Sequence, residues 1–180
     1  MSADRRLDSA FSIMDGHGLD ALALVPGVNF LRLIGRDFHQ NERPLVVVIT
    51  RSGKVASIVP HLEMASFATL NLDGDVFDWR DETGYEAAFE AAGKALGAVG
   101  KLGVEGQRMR VFDFLALQRH LDATAIVDAH AAISSLRLHK SESELATLRE
   151  AIRISEAALE ATLQQVRVGL TETGIEAIQI

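Results

Sequence analysis

The sequence predicts an α/β fold: a mixed sheet of about six strands flanked by helices. Three observations lead there. Short, almost wholly apolar runs recur between residues 19 and 127, stretches with helical spacing alternate with them, and no segment after Val127 reads as a strand. Runs that are apolar at every position, rather than at alternate ones, indicate strands covered on both faces.

From Asp4 to Met14 the apolar residues Leu7, Ala10, Phe11 and Met14 recur at three- and four-residue intervals, the spacing of one helix face, and Gly16-His17-Gly18 stops it. Leu19 to Val25, closed by Pro26-Gly27, is the first strand. Asn29 falls in the connection that follows, where capping or turn formation is its expected job. Leu45 to Ile49 is the second strand, and Arg51-Ser52-Gly53-Lys54 is a hairpin-type connection to the third, Val55 to Val59. A short helix over Leu62 to Leu70 and a short strand over Asp75 to Trp79 precede the break at Asp81-Glu82-Thr83-Gly84. Tyr85 to Val99 is rich in strong helix formers, with Gly93 a tolerated weak point. Gly97, Gly100 and Gly103 read as that helix's end and loop, and Leu102 to Glu105 as a brief strand. A helix over Phe112 to Leu121 and a strand over Ala125-Ile126-Val127 complete the pattern.

Ser141-Glu142-Ser143-Glu144 matches a capping box and opens a long amphipathic helix with Leu145, Leu148, Ile152, Ser155, Leu159 and Val166 on one face. Gly169 suits its C-terminal cap, and Thr171 suits the N-cap of a further helix. That helix is still running at Ile178-Gln179-Ile180, so the chain is expected to have been cut from a longer protein. The expected domains are 1–137, an α/β unit, and 138–180, a linker with the first helices of another.

Of the 180 residues 48% are hydrophobic and 24% charged, the composition of an ordinary globular protein. The net charge of -7 gives phosphate no clustered basic surface to meet, which argues against nucleic acid as a partner. No apolar run is long enough to span a membrane. The absence of cysteine removes disulfides, thiolate catalysis and Cys-based zinc sites. The polar start, Met1 to Arg6, is unlike a signal peptide, so a cytoplasmic location is the default expectation.

The six histidines show no recognised metal-motif spacing, no phosphate loop follows a strand, and no nucleophile elbow surrounds a serine. Catalytic residues and metal ligands are therefore expected to be absent from this chain. Asp128-Ala129-His130, after a strand end, is read as structural or solvent-exposed. Arg36-Asp37-Phe38-His39-Gln40-Asn41-Glu42-Arg43 is the most polar stretch; it reads as a solvated loop, with contact to a neighbouring active site as the alternative. Trp79 reads as packing in a core or an interface.

Two stretches carry a resemblance. Gly18-Leu19-Asp20-Ala21 leading to Asn29-Phe30-Leu31-Arg32-Leu33-Ile34-Gly35, then Glu42-Arg43-Pro44 and Val59-Pro60-His61-Leu62-Glu63, are similar to the opening of Xaa-Pro aminopeptidases, prolidases and creatinases. Arg32 and Ile34 stand where that family often has Tyr and Thr. Leu136-Arg137-Leu138-His139-Lys140-Ser141 with Glu144-Leu145, then Gly169-Leu170-Thr171-Glu172, resembles the point at which the family's catalytic domain begins, with Gly174 where Glu is frequent.

The resemblance implies a creatinase-type amino-terminal domain followed by the first helix of a truncated "pita-bread" catalytic domain. The intact protein would be an Xaa-Pro aminopeptidase or dipeptidase acting on proline-containing peptides. Two divalent ions, commonly manganese, would be held beyond Ile180. The resemblance also implies a homo-oligomer, with Asn29, Arg36 and His39 as candidates for the substrate rim. The fragment alone is expected to be inactive. Two rivals share this architecture: a binding module that has lost catalysis, and a creatinase-like hydrolase of a small guanidino compound.

Overall fold

The computed structural model describes residues 3–178, with side chains from Leu7 onward, and the chain divides into two compact units, 1–138 and 139–180. In the first unit, α1 (Ala3–His17) leads to β1 (Ala21–Leu24), and α2 (Val28–Ile34) follows. The hairpin of β2 (Val46–Thr50) and β3 (Val55–Pro60) comes next, then a 3-10 turn (His61–Glu63), α3 (Met64–Ala68) and β4 (Asp75–Trp79). The unit closes with α4 (Glu86–Leu96), β5 (Ala98–Val104), α5 (Val111–His120), β6 (Asp122–Asp128), α6 (His130–Ser134) and a 3-10 turn (Ser135–Arg137).

The six strands form one sheet in the order β4-β3-β2-β1-β5-β6. β2 runs antiparallel to both neighbours, whereas β3 pairs parallel with β4, and β1 and β6 pair parallel with β5. Five strands thus point the same way, and only the hairpin strand β2 opposes them.

At the centre of the sheet both faces are covered, which explains the continuously apolar β1, β2 and most of β3. Leu22, Leu24, Val47 and Ile49 face a layer that includes Met14, Phe30, Leu33 and Ile133. Ala21, Ala23, Val46 and Val48 face the other, with Phe89, Ala92 and Leu117. Each side chain of Phe30 or Phe89, fully buried, contributes roughly 1.5–3 kcal/mol relative to exposure. Trp79 packs edge-on against Tyr85, its ring centroid 5.8 Å away, and its Nε1 donates to the carbonyl of Pro44 at 3.1 Å.

Several elements differ from the sequence reading. The connection after β1 is helical: α2 starts immediately after Gly27 and ends on Gly35 in a left-handed conformation, whose amide returns to Leu31. With seven residues, α2 is too short for its periodicity to stand out. Gly100 and Gly103 lie within β5, not in a loop. Gly100 sits at a shift of register against β6, and Asp20 Oδ2 accepts the next amide, Lys101 N, at 2.8 Å. Gly93 is a point of close approach, since a Cβ there would collide with the carbonyl of His120 at the end of α5. α6 was not predicted.

In the second unit the capping box forms as predicted: Ser141 Oγ accepts from the Glu144 amide at 3.2 Å, and Glu144 Oε2 accepts from the Ser141 amide at 2.7 Å. The helix it opens, α7 (Glu142–Leu163), leaves Leu148, Ile152 and Leu159 exposed. It ends well before Gly169, because the amides of Gln165 and Val166 bond three residues back, to Thr162 and Leu163, and tighten the chain into turns. Thr171 Oγ1 accepts from the Gly174 amide at 3.1 Å and caps α8 (Glu172–Glu176). Met1, Ser2, Gln179 and Ile180, on which the expectations about the polar start and the interrupted last helix fall in part, lie outside the described residues. No helix among the described residues is long and apolar enough to cross a membrane.

Candidate functional site

Because β2 alone opposes the rest, the carboxyl ends of the other five strands share one edge of the sheet, where α/β folds place ligands. Polar side chains follow these ends: Asn29 after β1, His61 after β3, Arg80 after β4, Glu105 after β5 and Asp128 closing β6.

The centre of this edge is a buried polar cluster. Asn29 and Glu105 are 2% and 1% exposed, and Asn29 Nδ2 donates to Glu105 Oε1 at 2.7 Å. The same amide nitrogen lies 3.3 Å from Ser134 Oγ, which is in turn 3.2 Å from His130 Nε2. Arg137 Nε donates to Asn29 Oδ1 at 2.8 Å. Burial pushes the Glu105 carboxyl above the usual carboxylate range, and the Asn29 bond and the neighbouring His130, Arg108 and Arg137 pull it partly back. Asp128 is held below that range, since its carboxylate accepts from the backbone amides of His130 at 2.8 Å and Gly106 at 3.0 Å. His130 Nδ1 is buried without a hydrogen-bond partner among the described residues. Ser134 and His130 therefore lack the carboxylate that orients the base in a nucleophilic triad.

Beside the cluster, a depression of about 410 Å³ is lined by Val28, Leu31, Phe38, His39, Gln40 and Arg108 among others. Arg108 Nη2 donates to the carbonyl of Pro26 at 2.9 Å, and its guanidinium lies against Gly27, where a Cβ would come within 2.8 Å of Nε. Gln40 Nε2 donates to the carbonyl of Arg108 at 3.1 Å.

The three candidates from the sequence are not brought together. His39 is exposed and lines the depression. Arg36 turns away to Thr69, at the end of α3, its Nη1 3.1 Å from Thr69 Oγ1. Asn29, the second residue of α2, faces inward and spends both ends of its amide within the chain. Sequence reasoning missed Glu105, Arg137 and Ser134; the available signal was a carboxylate placed directly after an apolar strand.

The polar stretch 36–43 is held by a residue equally unexpected. Arg110 donates to both oxygens of the fully buried Asp113, at 2.7 and 3.1 Å, and also to the carbonyls of Asn41 and Arg43. Burial raises the Asp113 carboxyl, against the pull of Arg110. Arg43 in turn grips Asp81, with Nε and Nη2 at 2.9 and 2.6 Å from its two oxygens. At the ends of β3 and β4, Arg80 donates to His61 Nε2 at 2.6 Å, so the Nδ1 proton of His61 points to Asp78 Oδ2 at 2.7 Å.

Among the described residues no group of three or more His, Asp or Glu side chains could hold a metal ion.

A family model described as "Creatinase/Prolidase N-terminal domain" matches residues 6–139. A protein named as a probable dipeptidase, PepE, of Mycobacterium tuberculosis is 28% identical over 150 residues, 82% of this chain and 39% of that protein. A solved prolidase from Thermococcus sibiricus superposes with a TM-score of 0.83 at 23% identity, over 99% of this chain and 48% of that one. A Creatine_N superfamily domain of a dipeptidase from Streptococcus thermophilus gives a TM-score of 0.63 at 21% identity, over 76% of this chain and 99% of that domain. At such identities the structural likenesses show the fold. The chain spans about two fifths of the length of the curated relatives it matches.

Proposed function

Because the chain belongs to the Creatinase/Prolidase N-terminal domain family, we propose that residues 1–137 are the non-catalytic amino-terminal domain of a metal-dependent Xaa-Pro peptidase. The intact protein would hydrolyse the bond before proline in short peptides in the cytoplasm. Residues 138–180 would be the linker and first helices of its catalytic domain. The observation that carries this reading is the family match over residues 6–139, in a chain whose relatives are named as peptidases and dipeptidases and are more than twice the matched length.

The proposed role of this domain is oligomer formation and control of access to the active site, with the His39 depression the segment in contact with substrate. Two divalent ions, manganese by the resemblance, would be held by residues outside this chain, where bound metal lowers the pKa of water and polarises a carbonyl. The test is a comparison of two purified proteins, the product of the whole gene and this chain, on Xaa-Pro dipeptides with manganese. Cleavage by the former alone supports the reading; cleavage by this chain refutes the non-catalytic assignment.

A further inference from the structure

Asn29 stands between two charges. Its Oδ1 faces the guanidinium of Arg137 and its Nδ2 the carboxylate of Glu105, at 2.8 and 2.7 Å. A carboxamide has one accepting and one donating end, so these two charges dictate its orientation. Arg137 itself lies at the surface, at the end of the 3-10 turn that closes the first unit, and only a few residues before the chain enters the second. Ile133, fully buried, holds the preceding helix by its apolar contact, but nothing apolar fixes Leu138, which is 71% exposed.

We propose that Glu105, Asn29 and Arg137 form a polarised clamp that fixes where the chain leaves the α/β unit. Glu105 is the anchor, Asn29 the coupler and Arg137 the clasp. The carboxylate is costly to bury, and the Asn29 bond and the guanidinium groups of Arg108 and Arg137 offset that cost. Arg137 is drawn in through Asn29, and the exit segment is drawn in with it. Asn29 and Glu105 are thus positioning residues, and this inference does not rest on the peptidase reading.

Limited trypsinolysis of the full chain tests the clamp. Cleavage after Arg137 requires that side chain to leave Asn29 and enter the protease, and cleavage after Lys140 in the same exposed stretch serves as internal reference. When opening is fast, the rate of cleavage follows the population of the open form. Asn29→Leu should raise cleavage after Arg137, relative to Lys140, by about tenfold, as expected for losing a charge-assisted hydrogen bond. Asn29→Asp should leave it no higher than in the unaltered chain, because the carboxylate still accepts from Arg137, now as an ion pair. The double substitution Asn29→Asp/Glu105→Gln should likewise stay within about twofold of the unaltered chain, since an amide then donates to a carboxylate that accepts from Arg137.

A ratio unchanged by Asn29→Leu in a chain that keeps its circular dichroism overturns the clamp. So does a rise of about tenfold in Asn29→Asp or in the double variant, since both keep the oxygen that accepts from Arg137. If Asn29→Leu does not fold, Asn29→Ala is measured in its place, with the same expectation.

Discussion

The hydrogen bond from Arg137 Nε to Asn29 Oδ1, 2.8 Å long, joins side chains 108 positions apart in the chain. Each belongs to one of the two stretches that stand out in the sequence, the Gly18 to Gly35 opening and the run before Ser141. The fold brings them together because β1 and β6 both flank β5 in parallel, so the segments that follow them emerge at one edge.

Glu105 should give the fold a pH dependence of unusual sign for a carboxylate. Its folded pKa is raised, so protonation favours the folded state. Its contribution to stability is complete below the ordinary Glu range, near pH 4.3, and is lost as pH rises through the raised folded value. Urea unfolding of the chain and of Glu105→Gln across pH 4 to 8 should show the variant gaining on the unaltered chain as pH rises. A constant difference over that range would contradict the raised pKa. Asp113 titrates with the same sign, but it is common to both proteins and cancels.

Arg110→Ala should be among the most damaging surface-to-core changes. It leaves the buried Asp113 carboxylate unpaired, which costs about 3–5 kcal/mol, and it releases the carbonyls of Asn41 and Arg43. Arg110→Ala/Asp113→Asn should recover part of that loss in chemical denaturation, because the charge then disappears with its partner. Equal losses in the single and double variants would mean that loop anchoring, and not the charge, dominates.

Gly93→Ala should destabilise even though alanine is the better helix former. The added methyl meets the His120 carbonyl, so α4 and α5 must part, at about 1–3 kcal/mol. Thermal unfolding at pH 7 reads this directly, and a rise in melting temperature would show that the two helices separate without cost.

This position shows how far the sequence could be read. Gly93 was legible as a weak point of a helix, but the reason for glycine lies in α5, which local pattern does not see. The central strands were legible because a sheet covered on both faces demands continuous apolar runs. The order of the strands was not, since β1 pairs with β5 across a long separation that no local signal encodes. The exposure of His39 was legible by the polarity of its loop. The burial of Asn29 was not, because α2 has seven residues and too little periodicity to declare itself. Glu105 and Arg110 went unnoticed because their partners, Asn29 and Asp113, define them only once folded.

His39→Ala should separate folding from function. The side chain is exposed on the depression, so stability should change by no more than about 0.5 kcal/mol. In the product of the whole gene, KM for an Xaa-Pro dipeptide should rise with little change in kcat, as for loss of uniform binding. An unaltered KM would remove the depression from the substrate path.

The most direct test of the central claim is the rate of Xaa-Pro dipeptide hydrolysis by the purified product of the whole gene, with and without manganese after treatment with a chelator. Hydrolysis that the chelator abolishes and manganese restores is expected, with this chain inactive under the same conditions. A whole-gene product that binds no divalent metal and leaves the dipeptide intact would contradict it.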